Sequence, residues 1–190
     1  MKKISEDHRA RITKSLIKSA FLELLQEKNI RYISIRELCE KAQISRSTFY
    51  AHYVDIYEVK EQLENELLEA LKTAYRDALK KNGGNLLSAE IFEAAFRLLH
   101  ENSELCTILL NSGQDIVDKY IKISEEIFMP LYQAYFASAT EIQLKNYFLF
   151  TSGGSIAILK NWLTNHPDVS AKKVAAFVSD LIQKGVAALL

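Results

Sequence analysis

Apolar residues recur with the period of an α-helix along almost the whole chain, and the two-residue alternation of a β-strand is nearly absent. The clearest punctuation is Asn82-Gly83-Gly84-Asn85, which contains turn-forming residues only. The pattern predicts helices over residues 7–28, 34–41 and 45–52, a helix capped by Asp55 that runs to about Lys81, and helices over 87–101, 104–111, 115–137, 142–164 and 171–189. We therefore predict an all-α protein of about nine helices.

Residues 34–53 carry the most informative pattern. Four apolar residues follow the i, i+3, i+4, i+7 spacing of one helical stripe: Ile35, Leu38, Cys39 and Ala42. Ser34 stands before this stripe with Glu37 three residues later, which is the spacing of a capping box. Ser45 is then a good N-cap for a second short helix.

The second short helix is two-sided. Phe49 and Tyr53 are four residues apart and point the same way, whereas Ser47 and Ala51 fall on the opposite side. Two short helices joined by a tight turn, with a small polar outer face, match the plan of a helix-turn-helix. On the pattern alone, an ordinary helical hairpin is an equal alternative.

The residues of this stretch closely resemble the DNA-binding domain of the TetR/AcrR family of bacterial repressors. The family motif runs Thr-hydrophobic-Arg-x-hydrophobic-Ala, then Ala-Gly-Val-Ser, then x-x-Thr-hydrophobic-Tyr-x-His-Phe. The matching segments here follow without a gap: Ser34-Ile35-Arg36, Leu38-Cys39, Ala42-Gln43-Ile44-Ser45 and Thr48-Phe49-Tyr50-Ala51-His52-Tyr53. There are two departures, since Gln43 replaces the usual turn glycine and Ile56 replaces a common lysine that contacts phosphate.

The resemblance implies roles for the matching positions. Positions that touch base edges are Arg36, Arg46, Ser47 and Thr48, and positions that meet phosphate are Ser34, Tyr50 and His52. An arginine can bind guanine O6 and N7 in bidentate fashion, which suits such a role. The alternative for Tyr50 is core packing, and for His52 it is a surface position or a partner at the helix end.

Charge is divided unevenly along the chain, although the formal net charge is zero. Residues 1–53 hold eleven Lys and Arg against six Asp and Glu, whereas residues 54–190 hold thirteen against eighteen. The net positive charge of residues 1–53, the basic head, suits contact with phosphate. The net negative charge of residues 54–190, the acidic body, does not. We expect a helix-turn-helix domain over residues 1–54 and a helical regulatory and dimerisation domain over residues 55–190.

The last two predicted helices are apolar on more than one side, which is typical of a central helix or of one shared with another chain. Relatives resembling this chain dimerise through these helices. We therefore expect a homodimer interface at Gly153, Gly154, Trp162, Phe177 and Leu181. A Gly pair within a helix costs stability, so we expect either a close helix approach or a local break there. Pro130 should kink or divide its helix.

The acidic body contains an aromatic set that is able to line a pocket for a small-molecule effector. Its members are Tyr75, Phe92, Phe96, Tyr120, Phe128, Tyr132 and Phe150. Ordinary core packing is the alternative for these residues.

Catalytic and cofactor signals are missing from the sequence. There is no Gly-rich phosphate loop, no H-E-x-x-H and no Gly-x-Ser-x-Gly, and Cys39 and Cys106 are isolated. We expect no enzyme activity, no catalytic residues, no metal and no cofactor. No segment resembles a signal peptide or a membrane span, so we expect a cytoplasmic protein with no membrane partner.

These observations favour a homodimeric transcriptional repressor that binds a palindromic double-stranded DNA operator and is released by a small molecule. The alternatives are a ligandless DNA-binding architectural factor and a helical interaction protein.

Overall fold

The computed structural model describes residues 2–85, 88–111, 113 and 115–185, with side chains from residue 7 onward. Its helices are α1 (Lys2–Glu27), α2 (Ile35–Lys41), α3 (Arg46–Tyr50), α4 (Ile56–Lys81), α5 (Ala89–Glu101), α6 (Ser103–Asn111), α7 (Asp115–Tyr135), α8 (Glu141–Asn165) and α9 (Ala171–Gly185). A single 3₁₀ turn, Ile30–Tyr32, precedes α2, and no strand occurs over the described ranges. The prediction of an all-α protein with about nine helices is confirmed, since the described residues form nine α-helices.

The chain forms two compact units, one ending at Glu66 and the other beginning at Leu67. The boundary lies within α4, whereas the sequence suggested a boundary at residue 54. In the first unit, α1 packs on α2, and α2 packs on α3. The fully buried residues Ile17, Phe21, Leu38, Phe49 and Val59 form the interior of this unit. They come from its four helices, so the predicted short helices are packed on longer ones.

Ion pairs join α1 to its neighbours in the first unit. Lys41 on α2 lies 3.1 Å from a Glu23 carboxylate oxygen and 3.0 Å from a Glu27 carboxylate oxygen, both on α1. These hydrogen bonds raise the pKa of Lys41. Exposed pairs of this kind stabilise a fold by only about 0–1 kcal/mol each. The buried apolar residues therefore hold the unit together, and the ion pairs favour one arrangement of the helices.

The second unit has one continuous apolar core that is built from α4 to α9. Pro130 does not divide α7, which runs unbroken from Asp115 to Tyr135. Gly153 and Gly154 do not break α8. A Cβ atom placed on either glycine would meet nothing within 4 Å, so close approach inside the chain does not explain them either.

The turn between α2 and α3 contains Gln43, the residue that replaces the usual turn glycine. Gln43 adopts a left-handed φ of 54° where glycine is favoured. The turn is closed by the Ile44 N–H, which donates to the Cys39 carbonyl at 3.0 Å. Gln43 therefore adopts the conformation that the usual glycine would adopt, and this turn sets the direction in which α3 leaves α2.

We expect Gln43→Gly to raise the free energy of unfolding by up to about 1 kcal/mol, because glycine adopts this conformation without a Cβ clash. Denaturant unfolding followed by circular dichroism measures the change. Gln62→Gly, inside α4, is the matched control and should lower stability by about 1 kcal/mol. A loss of stability at Gln43 as well would contradict the account of the turn.

Candidate nucleic-acid interface and internal cavities

The inner side of α3 is anchored by Phe49, which is fully buried. Its ring lies 5.8 Å from the Tyr53 ring and 5.6 Å from the Tyr50 ring, measured between centroids. Leu38 on α2 is also fully buried, whereas Ile44 in the turn is half-buried. These contacts fix which side of α3 faces the interior and which side faces outward.

Ser45 organises the start of α3. Its Oγ accepts a hydrogen bond from the Thr48 N–H at 3.0 Å, which is the geometry of an N-cap. The same Oγ lies 2.8 Å from the Ser47 Oγ and 2.8 Å from the Thr48 Oγ1. Ser34 caps α2 in the same way by accepting from the Glu37 N–H at 3.2 Å. The Glu37 carboxylate does not complete a capping box, because it pairs with Lys28, and this pairing lowers the pKa of Glu37.

The structure places all seven predicted DNA-contacting residues on α2, α3 and the residues that flank them. Exposed members are Ser34, Arg36, Arg46, Ser47 and Tyr50, and half-buried members are Thr48 and His52. Tyr50 is 58% exposed, so its ring covers the edge of Phe49 without entering the core. The outer face of α3 is therefore small, polar and accessible. Contact of these residues with DNA remains a prediction.

Glu40 is a neighbour of this face that the sequence reasoning missed. Its carboxylate accepts a hydrogen bond from Arg36 Nε at 2.7 Å, and this interaction raises the pKa of Arg36. The signal was available, because the two residues are four apart on α2. Arg46 makes no ion pair with any residue that the structure describes. The two arginines therefore differ, since Arg36 is held by a carboxylate and Arg46 is unrestrained.

Two adjoining cavities lie inside the second unit. We call the larger one, of about 50 Å³, the apolar chamber; its walls include Leu71, Phe96, Cys106 and Leu109. We call the smaller one, of about 20 Å³, the hydroxyl chamber; its walls include Ser124, Thr151 and Ser152. Tyr75, Tyr120 and Ser155 line both, and the Tyr75 and Tyr120 hydroxyls are 3.1 Å apart.

Most of the predicted aromatic set surrounds these chambers. Its members at the walls are Tyr75, Phe92, Phe96, Tyr120, Phe128 and Tyr132. The prediction is wrong for Phe150, which is 75% exposed on the outside of α8. The reason is that α8 is apolar on several sides, so helical period alone did not distinguish its inner face from its outer face.

Burial keeps the ionisable groups of the chambers neutral. It raises the pKa of the Tyr132 hydroxyl and of the Cys106 thiol to about 12 each, and that of the Tyr75 hydroxyl well above its usual value. The Cys106 thiol is therefore protonated at neutral pH and is a poor nucleophile. None of the described residues that line either chamber carries a charge.

A second apolar surface lies outside, on α8 and α9. Leu149, Phe150, Phe177 and Leu181 are exposed there, as are Gly153 and Gly154. Phe177, for example, is 58% exposed. We call these six residues the α8–α9 apolar face. An apolar group of this kind, on two adjacent helices, is typical of an interaction surface.

Trp162 does not belong to that face, and its assignment to a dimer interface is wrong. It is 2% exposed, and its indole N–H donates to the Val169 carbonyl at 2.8 Å. Its ring stacks on His100 at 5.0 Å and lies 5.7 Å from the Phe96 ring. Trp162 therefore packs in the core of its own chain and cannot reach another one.

Membrane-spanning helices and clusters of metal ligands are both absent from the described residues. No helix there is long and apolar enough to cross a membrane. No group of three or more His, Cys, Asp or Glu side chains there could hold a metal ion.

Sequence comparison finds similarity over both parts of the chain. A TetR-type family model described as "Transcriptional regulator C-terminal region" matches residues 87–184. An uncharacterized HTH-type transcriptional regulator of Bacillus subtilis strain 168, YxbF, is 23% identical over 172 residues, covering 88% of this chain and 44% of the relative. This chain thus spans about half the length of the curated relatives that it matches.

Solved structures share the fold. A TetR transcriptional regulator from Streptococcus agalactiae 2603V superposes with a TM-score of 0.69 at 21% identity, covering 95% of this chain and 98% of that one. Thermus thermophilus FadR, a TetR family repressor solved with lauroyl-CoA, gives a TM-score of 0.55 at 17% identity over 90% of this chain and 94% of that one. At these identities the similarity concerns the fold.

We expect Ser45→Ala to lower the free energy of unfolding by about 1 kcal/mol, because the first turn of α3 loses its cap. Ser47→Ala is the matched control, since Ser47 is exposed, caps no helix and should change stability by less than about 0.5 kcal/mol. Thermal unfolding of the two variants beside the parent chain measures both. Equal stability of the two variants would contradict the capping role of Ser45.

Proposed function

The chain belongs to the TetR family of transcriptional regulators, and we propose that it works as a homodimeric repressor that a small molecule releases from a palindromic DNA operator. The observation that carries this proposal is the outward polar face of α3, which stands opposite the buried Phe49. A cytoplasmic location and the absence of catalysis are part of the same proposal. The basic charge of the first 53 residues supports a nucleic-acid partner.

In the proposed complex α3 enters the major groove and reads base edges with Arg46, Ser47 and Thr48. Arg46 has no ion pair to give up among the described residues, so its guanidinium is available to a guanine. Arg36 contributes from α2 with its Nε already bound to Glu40, which leaves its terminal amino groups for the DNA. Ser34, Tyr50 and His52 meet phosphate oxygens and set the register.

The α8–α9 apolar face supports the homodimer. One five-residue α3 reads too few base pairs to specify an operator, whereas two related by a two-fold axis read two half-sites. Gly153 and Gly154 have open space where a Cβ would stand, so a partner helix is able to approach α8 closely there. Such contact would offset the helix-propensity cost of the two glycines.

The two chambers support an effector. Helix α4 contributes Leu67, Leu71 and Tyr75 to their walls, and its earlier residues Val59 and Leu63 are buried in the first unit. A ligand that displaces this part of α4 therefore acts on a helix that is shared with the DNA-binding unit. Release requires that the ligand bind the DNA-free state more tightly than the operator-bound state. FadR, which has the same fold, is described with lauroyl-CoA.

The rival functions are a ligandless architectural DNA-binding factor and a helical interaction protein. Salt-dependent binding to duplex DNA separates the interaction protein from the other two. A compound that raises thermal stability and weakens operator binding separates an effector-controlled regulator from an architectural factor. The polar face of α3 favours a DNA-binding function, and the neutral chambers favour effector control.

We expect Arg46→Ala to weaken binding to an operator selected from random DNA by roughly 5- to 150-fold, since a bidentate guanine contact is worth about 1–3 kcal/mol. Fluorescence anisotropy with a labelled duplex measures the affinity. Arg76→Ala, an exposed arginine on α4 in the second unit, is the charge-matched control and should leave the affinity within about twofold. Unchanged affinity of the Arg46 variant would remove this residue from base recognition.

We expect Phe177→Glu to convert the dimer to a monomer at micromolar concentration, because burying an unpaired carboxylate in an apolar interface is costly. Sedimentation velocity measures the assembly state, and circular dichroism verifies that the helices persist. Tyr135→Glu, a similarly exposed aromatic residue on α7, is the control and should remain dimeric. A Phe177 variant that stays dimeric would place the interface elsewhere.

A further inference from the structure

The hydroxyl groups that line the hydroxyl chamber differ in whether they already donate a hydrogen bond. Thr151 Oγ1 donates to the Tyr147 carbonyl at 2.9 Å, Ser152 Oγ to the Phe148 carbonyl at 2.7 Å, and Ser155 Oγ to the Thr151 carbonyl at 2.7 Å. Each of these hydroxyl protons is thus committed to a carbonyl one turn earlier on α8. What remains on the three oxygens is their capacity to accept a hydrogen bond.

Ser124 differs from these three residues. Its side chain comes from α7, is 2% exposed, and its Oγ has no hydrogen-bond partner among the residues that the structure describes. It lines the same chamber as Ser152 and Ser155. An unpaired hydroxyl at this depth carries an uncompensated desolvation cost, and the group is able both to donate and to accept a hydrogen bond.

The apolar chamber adjoins this polar cluster directly, because Tyr75, Tyr120 and Ser155 form walls of both. Its other described lining residues are almost all aliphatic or aromatic. The two chambers together therefore present an apolar interior with hydroxyl groups at one end. A molecule that fits both must have an apolar body and one polar end.

The absence of charge among the described lining residues limits which polar group the ligand can carry. No Lys, Arg or His among the described lining residues would pair with a carboxylate or phosphate, and no Asp or Glu would pair with an ammonium group. Burying an unpaired charge there would be far more costly than burying a neutral group. The polar end is therefore neutral.

The hydrogen-bonding capacity of the serine hydroxyls limits the polar group of the ligand further. An ether or a ketone can only accept, so it would satisfy Ser124 and leave the acceptors of Ser152 and Ser155 without a donor. A hydroxyl group both donates and accepts, and so it matches the cluster. The hydroxyl chamber, at about 20 Å³, has room for one water-sized group by the usual measure of roughly 10–15 Å³.

We propose that the effector of this regulator is a small neutral hydroxyl compound, with its apolar body in the apolar chamber and its hydroxyl group against Ser124, Ser152 and Ser155. The inference rests on the proposed function, since it names the class of molecule that the regulatory site takes. Phenol combines an apolar ring with a single hydroxyl group and serves as the probe.

The apolar chamber is too small for an aromatic ring, so binding of such a ligand requires a change in protein conformation. The apolar chamber measures about 50 Å³, whereas a cavity of roughly 150 Å³ is known to hold benzene. A ring can enter only if the walls, which include α4 and α7, move apart. We expect α4 to be among the walls that move, which would give the coupling that effector control requires.

The test measures dissociation constants of the full chain by isothermal titration with phenol, anisole, toluene and benzoate. These probes have one ring each and differ in the polar group. We expect phenol to bind most tightly, anisole and toluene to bind roughly three- to tenfold more weakly, and benzoate to give no measurable binding. Toluene binding as tightly as phenol, or measurable benzoate binding, would overturn the proposal.

Variants locate the hydroxyl group. Ser124→Ala should fold with an unchanged or raised Tm, because no hydrogen bond is lost, and should weaken phenol binding roughly three- to tenfold while sparing toluene. Ser152→Ala should weaken phenol binding similarly. Ser179→Ala is the matched control, an equally buried serine on α9 outside the lining of both chambers, and should keep the parent affinity for phenol. Full phenol affinity in both the Ser124 and Ser152 variants would overturn the assignment.

A separate readout tests the proposed release. Phenol at saturation should lower the affinity of the parent chain for a selected operator by at least fivefold and should have less effect on the Ser124 variant. If phenol binds with the expected selectivity and operator affinity is unchanged, the ligand class stands and the proposed release is wrong. If operator binding is specific and dimeric but phenol does not bind, the ligand class is wrong and the DNA-binding function stands.

Discussion

The burial of Phe49 is the interaction on which the functional surface depends. Helix α3 has five residues, and an isolated helix of that length is unstable in water because its nucleation cost is not repaid. It persists because Phe49 and Leu38 are fully buried together and Ser45 caps its first turn. The same burial fixes the rotation of the helix, so the small polar side chains point outward. Without it there would be no rigid surface for a DNA groove.

The chambers of the second unit follow the opposite principle, since the polar groups that line them face inward and are uncharged. Serines and a threonine on α8 donate to the backbone of their own helix, and burial raises the pKa values of Tyr75 and Tyr132. A site without charge discriminates among ligands by shape and by hydrogen-bond count. Because α4 contributes residues to both units, a change at the chambers has a continuous helix on which to act.

The features that could be predicted from the sequence are those that depend on residues close together along the chain. Helical period gave the nine helices, and Ser34 and Ser45 were found because a capping residue acts within one turn. Sequence-based prediction failed where tertiary packing decides. Phe150 was expected in a pocket and is exposed, whereas Trp162 was expected at an interface and is buried. Both errors arise because α8 is apolar on several sides. Ser124 and Ser152 were missed because a serine within a helix has no sequence signal that separates an inner position from an outer one.

Selection of bound sequences from a random duplex library, with the purified full chain as bait, tests the central claim most directly. The account predicts enrichment of a two-fold symmetric sequence with two half-sites, since two copies of α3 are presented by one dimer. Recovery of no common sequence, or of a single unpaired site bound by a monomer, would contradict it.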